Sequence, residues 1–215
     1  MHVQLEATNT SIGTSSMINL TTGSYNTALG KGSMQNATTA GSNTCVGESS
    51  GLNILTTFGN TCLGNSSSTS GDSNTYVGYS SGDGSYGNST TTIYNLGLGY
   101  ESLSHVTGSY NVGIGYQGGR NLTTGSNCIC ISHLGVAAET GIIRIGTSGT
   151  HTTTYLVGTV NIPTATIAGV INLPTTTSSA GIININSSRS HARLRDSKYI
   201  SWRQCRKFYH YRVWM

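Results

Sequence analysis

Asn26-Thr-Ala-Leu-Gly30 and Asn43-Thr-Cys-Val-Gly47 stand 17 residues apart and share one pattern, Asn-Thr-x-φ-Gly, with φ aliphatic. The pattern also reads Asn9-Thr-Ser-Ile-Gly13, Asn60-Thr-Cys-Leu-Gly64 and Asn74-Thr-Tyr-Val-Gly78. Looser copies follow at Asn95-Leu-Gly-Leu-Gly99 and Asn111-Val-Gly-Ile-Gly115, then a degenerate Asn127-Cys-Ile-Cys-Ile131. Successive Asn residues are 17, 17, 17, 14, 21, 16 and 16 positions apart. A recurrence of this length means one small unit stacked on itself, not a globular core around a pocket.

Strand alternation places Thr and φ of each copy on one face and the middle residue on the other. The aliphatic column Ile12, Leu29, Val46, Leu63, Val77, Leu98 and Ile114 is expected to form the repeat core. The Gly after each φ suits a chain about to turn. Sixteen or seventeen residues suffice for two strands of about five residues and two tight turns, one rung of a parallel β-roll or β-solenoid. The Asn column (Asn9, Asn26, Asn43, Asn60, Asn74, Asn95, Asn111) is expected to pair along the axis as a ladder. Cys45 and Cys62 fill the same slot of consecutive repeats, so they should lie one above the other as small buried residues. Open ends of such a stack need a cap or a partner.

Composition bounds the remaining readings. Only 8% of the 215 residues are charged, and Ser, Thr, Asn and Gly dominate. No apolar run is long enough for a membrane span. The start, Met-His-Val-Gln-Leu-Glu, has neither the basic residues nor the apolar stretch of a signal peptide, so neither leader nor anchor is expected. Residues 1–186 carry three basic and six acidic side chains, net −3, whereas 187–215 carry eight basic and one acidic, net +7. The overall +4 is therefore a property of the tail, and the body argues against a nucleic-acid partner.

Asn-Thr-Ala-Leu-Gly, preceded by Gly-Ser-Tyr and followed by a Gly/Ser half-rung, resembles the head repeats of trimeric autotransporter adhesins (YadA-like). Similar repeats occur in tail-fibre-like proteins of phages and large viruses. The resemblance covers about residues 9–147. It implies a left-handed β-roll, a homotrimer, and a role in display or attachment at a virion or cell surface. The partner would be an unknown host-surface receptor, glycan or protein. Repeat length is less regular here, and the membrane-anchoring barrel of the autotransporters is absent from the sequence.

The expected organisation is a head-repeat roll over 1–147, a Thr-rich β connector over 148–186, and a basic aromatic tail over 187–215. Within the connector region, 142–146, 153–158, 167–173 and 181–186 read as short strands split by Pro163 and Pro174. The tail contains no Gly and both Trp. Because Trp has the single codon TGG, a one-base shift turns each Trp into Gly. With allowed codons residues 196–215 then read IQNIYLGDNAGNFTIIGYG, another copy of the repeat. A frameshifted tail would be disordered or loosely docked and carry no chemistry.

No catalytic pattern emerges. The six His are scattered without ligand spacing, the acids of the body are dispersed, and no Gly-x-Ser-x-Gly elbow is present. Gly97-Leu-Gly99 and Gly113-Ile-Gly115 are repeat glycines with no helix to follow. The expectation is an all-β, non-enzymatic repeat protein with no cofactor and no metal. The alternative is a monomeric solenoid whose Thr column (Thr10, Thr27, Thr44, Thr61, Thr75) binds ice or another surface. Against it stands the sharing of one face by Thr and the aliphatic column expected inside.

Overall fold

The computed structural model describes residues 3–6, 8–83, 92–157, 183–185 and 188–190. Two units are distinguished, residues 1–155 and 156–215. The first is a β-solenoid with no helix among the described residues. Strands β2 (Asn9–Ile12), β3 (Thr27–Leu29), β4 (Thr44–Val46), β5 (Thr61–Leu63) and β6 (Thr75–Val77) stack in parallel. They continue in β7 (Leu96–Leu98), β8 (Val112–Ile114), β9 (Ile129–Ile131) and β10 (Ile143–Ile145). Registry is position on position: Thr27 pairs Thr44, Ala28 pairs Cys45 and Leu29 pairs Val46. Of the second unit, β11 (Ile183–Ile185) and β12 (Ser188–Ser190) form an antiparallel pair.

The Asn column holds the register. Asn26 donates its backbone N–H to Asn9 Oδ1 at 2.9 Å, and its Nδ2 donates to the same oxygen at 3.1 Å and to Ala40 O at 2.8 Å. Asn43 repeats this on Asn26 and Thr57, and Asn60 places its N–H and Nδ2 on Asn43 Oδ1 at 2.9 and 3.0 Å. The ladder runs on through Asn74, Asn95 and Asn111 to the backbone N–H of Cys128. Asn26 to Asn111 are all 2% exposed or less. A primary amide is suited to this task because it offers an acceptor upward and donors downward and sideways, so its own buried oxygen and nitrogen both find partners.

Burying Asn decides the rest of each strand. Residues two apart share a face, so the middle residue of Asn-Thr-x-φ points inward with Asn. Ser11, Ala28, Cys45, Cys62, Tyr76 and Cys130 are all 2% exposed or less. The expected core column is thus corrected: Ile12, Leu29, Val46, Leu63, Val77, Leu98 and Ile114 face outward, exposed or half-buried. Ile12 is 38% and Leu29 45% exposed. The alternation holds, but the inward side is the one that carries Asn, not the one that carries φ.

Inside, large and small side chains compensate across rungs. Met17, Met34, Ile54, Leu103 and Leu122, all from turns, reach into the interior and are 1% exposed or less. Where Tyr76 fills the interior, a Cβ on Gly82 or Gly97 would lie 2.4 or 2.7 Å from its ring, so glycine at both positions makes room. Gly113 does the same for Leu103. Such matching is what close packing demands of an interior this narrow.

The second half of each rung is not a strand of about five residues. After the strand Gly, left-handed residues recur at alternate positions, as in Gly30, Gly32 and Met34 (φ 138, 65 and 50°). That breaks extended backbone while still allowing rung-to-rung bonds such as Thr21 N to Thr38 O and Thr38 N to Leu55 O, both 2.8 Å. A second buried column lines this half. Ser16, Ser33, Ser50, Ser67 and Ser81 donate to the carbonyls of Ala28, Cys45, Cys62, Tyr76 and Gly97.

The ends differ. At the first, β1 (Val3–Glu6) pairs antiparallel with β2 and covers its edge. At the other, Arg144 takes the inward slot above Cys130, and its guanidinium pairs with Glu139. The expected strand at 153–158 is absent over its described part, 153–157, which is exposed and irregular. The strand expected over 181–186 contains β11. The 167–173 strand and the tail beyond Ser190 lie outside the described residues.

Asn43→Ala should lower stability by about 2–4 kcal/mol, because it strands the buried Asn60 N–H and removes a donor from Asn26 Oδ1. Asn19→Ala, removing an exposed bond to Gln35 O, should change it by less than about 1 kcal/mol. Denaturant unfolding of the two variants checks this; equal effects would show that the ladder is not what holds the stack.

Candidate functional site

Three features could carry function: the outward sheet face, a file of tyrosines beside it, and the interior thiols. On the sheet face each rung presents two side chains. One column is Ile12, Leu29, Val46, Leu63, Val77, Leu98, Ile114, Ile131 and Ile145. The other begins as Thr10, Thr27, Thr44, Thr61 and Thr75 and continues as Leu96, Val112, Ile129 and Ile143. With rungs about 4.8 Å apart, the two columns form an uncharged strip about 40 Å long. It is half Thr and half aliphatic over the first five rungs and wholly aliphatic over the last four. Ile143 and Ile145 are 65% and 61% exposed. A contiguous apolar strip of this size is uncommon on a monomeric protein surface.

The tyrosines follow from the repeat. The residue after the strand Gly is Tyr in three consecutive rungs, and in-register stacking puts these rings face to face. Tyr79 and Tyr100 have centroids 5.4 Å apart with planes 7° from parallel; Tyr100 and Tyr116 stand at 5.3 Å and 8°. A second file, Tyr94 on Tyr110 at 5.2 Å, stands just before the ladder Asn. Beside the first file, Gln117 Nε2 donates to Glu101 Oε2 at 2.8 Å and Arg120 Nε lies 3.3 Å from that oxygen. The Gln117 bond, with help from Tyr100 and Arg120, holds the Glu101 carboxyl below its usual range, while Glu101 pushes the Tyr100 phenol up.

The thiols are placed for packing. Cys45 and Cys62 pair across β4 and β5, both fully buried and free. Hydrogen bonding to Cys45, then burial, pushes the Cys62 thiol well up. Burial, with Cys128 nearby, pushes Cys130 up to about 11. Neither is a ready nucleophile, since the thiolate is the reactive form. Cys128, not Asn127, occupies the ladder slot of its rung: its N–H donates to Asn111 Oδ1, and its Sγ donates to Glu139 O. Asn127 instead takes the left-handed position (φ 58°) that Tyr110 takes one rung earlier (φ 61°). The true spacing from Asn111 is therefore 17, not 16. Among the described residues no three His, Cys, Asp or Glu side chains gather where a metal ion could sit, and no helix is long and apolar enough to cross a membrane.

Among the described residues the strip and the tyrosine files lie outside and the thiols inside. The predicted Asn residues come together in the ladder, and the predicted aliphatic residues in the outer strip. The buried Ser column was missed, although Gly-x-x-Ser recurs at Gly13, Gly30, Gly47, Gly64, Gly78 and Gly99 and would have found it.

The terminal pair gives a pH test. Hydrogen bonding from Arg144 holds the Glu139 carboxyl below its usual range. A depressed folded-state pKa stabilises above the ordinary Glu range, and that stability is lost as pH falls through the folded value. Wild type should therefore melt above Glu139→Gln at neutral pH, and the two melting temperatures should converge on acidification. A gap independent of pH would mean that the pair does not titrate with folding.

No family model, curated protein or solved structure matches the chain, so the functional reading rests on the chemistry of these surfaces.

Proposed function

We propose that the protein is a non-enzymatic structural or attachment module, three copies of which bury their outward strips against one another to form a fibre or adhesin head. The observation that supports this reading is the strip itself. Side chains that belong in a core by chemistry, Leu98, Ile114, Ile129 and their neighbours, face outward in a single chain. Rigid, in-register parallel strands present them as a regular ladder, which a second and third copy can match rung for rung. The head-repeat resemblance supports three copies and a left-handed roll, and it supports display at a virion or cell surface, with a host-surface receptor contacted by the faces left exposed.

A second reading gains one observation. The Thr column faces outward, so its sharing a face with the aliphatic column no longer counts against an ice-binding surface. Five Thr at a regular spacing beside five aliphatics could order water as such a face does. The replacement of Thr by Leu96, Val112, Ile129 and Ile143 ends that array after five rungs and favours an apolar interface instead.

Sedimentation equilibrium should give three times the 22.5 kDa chain mass, with a melting temperature that rises with protein concentration. Val112→Glu, on the strip and facing away from the ladder, should yield a folded monomer. A wild-type monomer would remove the trimer reading. Thermal hysteresis in that monomer's solution, lost on Thr44→Glu, would establish the ice-binding one.

A further inference from the structure

The file of tyrosines ends at Tyr116. Tyr100, with a ring on each side, is 42% exposed, whereas Tyr116 is 70% exposed. Rung stacking puts His133, not another Tyr, in the next place of the column. Between them opens a cleft of about 350 Å³, walled by Tyr116, Gln117, His133, Leu134, Thr147 and His151. That volume lies in the lower part of the ~300–1,000 Å³ range of small-ligand sites.

The polar wall is held in place. His133 Nδ1 accepts the N–H of Gly135 at 2.8 Å, and His151 Nδ1 accepts the N–H of Thr147 at 2.9 Å. An imidazole that accepts at Nδ1 carries its proton at Nε2, so both histidines offer a fixed donor. Thr147 gives its hydroxyl proton to Ser132 O at 2.7 Å and keeps its oxygen as an acceptor. The bond from Gln117 Nε2 to Glu101 leaves the Gln117 carbonyl oxygen as a second acceptor. No Lys, Arg, Asp or Glu lines the cleft.

We infer that this cleft is a binding site for a neutral pyranose sugar, whose apolar C–H face packs on Tyr116 while its hydroxyls meet the imidazoles, Thr147 and Gln117. The match is one of shape and polarity together. A pyranose has one apolar face and a rim of hydroxyls that both donate and accept. The cleft has one aromatic wall and a rim of fixed donors and acceptors. Without a cation, it has nothing to hold a phosphate, a sulfate or a carboxylated sugar. A second cleft of similar size, beside His105, Asn121, Thr123 and Val136, has no tyrosine wall. The inference gives the attachment reading its receptor chemistry, yet the site lies within one chain and does not need the trimer.

Saturation-transfer NMR on the full-length protein tests it, with methyl β-D-galactopyranoside, methyl β-D-glucopyranoside and N-acetyl-D-glucosamine as probes. At least one should show transfer to its ring protons. Tyr116→Ala should weaken it about tenfold or more, through loss of the apolar face that the bound sugar would cover. Tyr116→Phe, which keeps the ring, and Tyr79→Ala, at the far end of the file, should leave it unchanged. Transfer to none of the three sugars, or transfer unaltered by Tyr116→Ala, would overturn the inference. So would transfer to phenol or indole without transfer to a sugar. Sedimentation of the same sample separates this result from the trimer: a monomer that binds sugar keeps the cleft and loses the fibre.

Discussion

A buried side-chain amide bonded to its own counterpart in the next rung is the constraint on which this solenoid depends. Each Asn Oδ1 from Asn9 to Asn111 accepts the backbone N–H of the next rung, and the amide nitrogen reaches a carbonyl across the turn, or at Asn60 the Thr57 hydroxyl. A hydrogen bond of this kind adds only about 1 kcal/mol net, but leaving one unmade in a buried place costs more. The asymmetry fixes register: a strand that slips by one residue would bring Thr to the axis and strand every neighbour. It also explains why repeat length can wander. The spacing falls to 14 before Asn74 and rises to 21 after it, yet Asn74 N still meets Asn60 Oδ1, and Asn95 N meets Asn74 Oδ1, both at 2.9 Å. Length is absorbed in the turns because the ladder asks only that the amide return to the axis.

The same constraint orders the rest of the cross-section. With Asn and the middle residue inward, the interior is floored by small side chains and filled from the opposite turns by Met17, Met34, Ile54, Leu103 and Leu122. The Ser column, from the turns, donates to the carbonyls of the inward strand residues Cys45, Cys62 and Tyr76. Polar ladders thus occupy positions that hydrocarbon holds in most domains, and the branched aliphatics are displaced to the outside. The ends are treated as the fold requires, one edge paired by β1 and the other filled by Arg144 on Glu139.

Much of this was legible in the sequence. The recurrence of Asn-Thr-x-φ-Gly gave the parallel solenoid, eight of its nine stacked strands and the stacking of Cys45 on Cys62. The inward face was not legible from hydrophobicity, because Asn and φ stand three residues apart and cannot share a face, and φ is the more apolar of the two. Hydrophobicity chose φ; hydrogen-bond satisfaction chose Asn, and in a rung this small it prevails. The half-rung after each Gly read as a strand because nothing in residues such as Ser49 or Met34 announces a left-handed backbone; in the stack each gives its N–H to a neighbouring rung, Met34 to Ser50 O and Ser49 to Lys31 O. Cys128 escaped notice because Asn127 beside it offered the expected letter one place too early. The cleft at Tyr116 joins residues from three rungs, 116–117, 132–134 and 147–151, and only the stacking distance reveals it.

The placement of hydrocarbon outside has an energetic consequence that joins folding to assembly. Full burial of a Val, Leu or Ile side chain is worth about 1.5–3 kcal/mol. Across nine rungs the outer columns hold thirteen such side chains, from Ile12 to Ile145, all exposed or half-buried in the single chain. The stabilisation left unrealised is comparable with the ~5–15 kcal/mol that separates a folded domain from its unfolded chain. A surface that realised it would raise the stability of the roll as much as it drove association, so the two would be measured as one transition. Replacement of Thr by aliphatics after β6 concentrates that gain in the last four rungs, at Leu96, Val112, Ile129 and Ile143. On this reading association is anchored in those rungs. The Thr-bearing rungs add less per residue and tolerate water better.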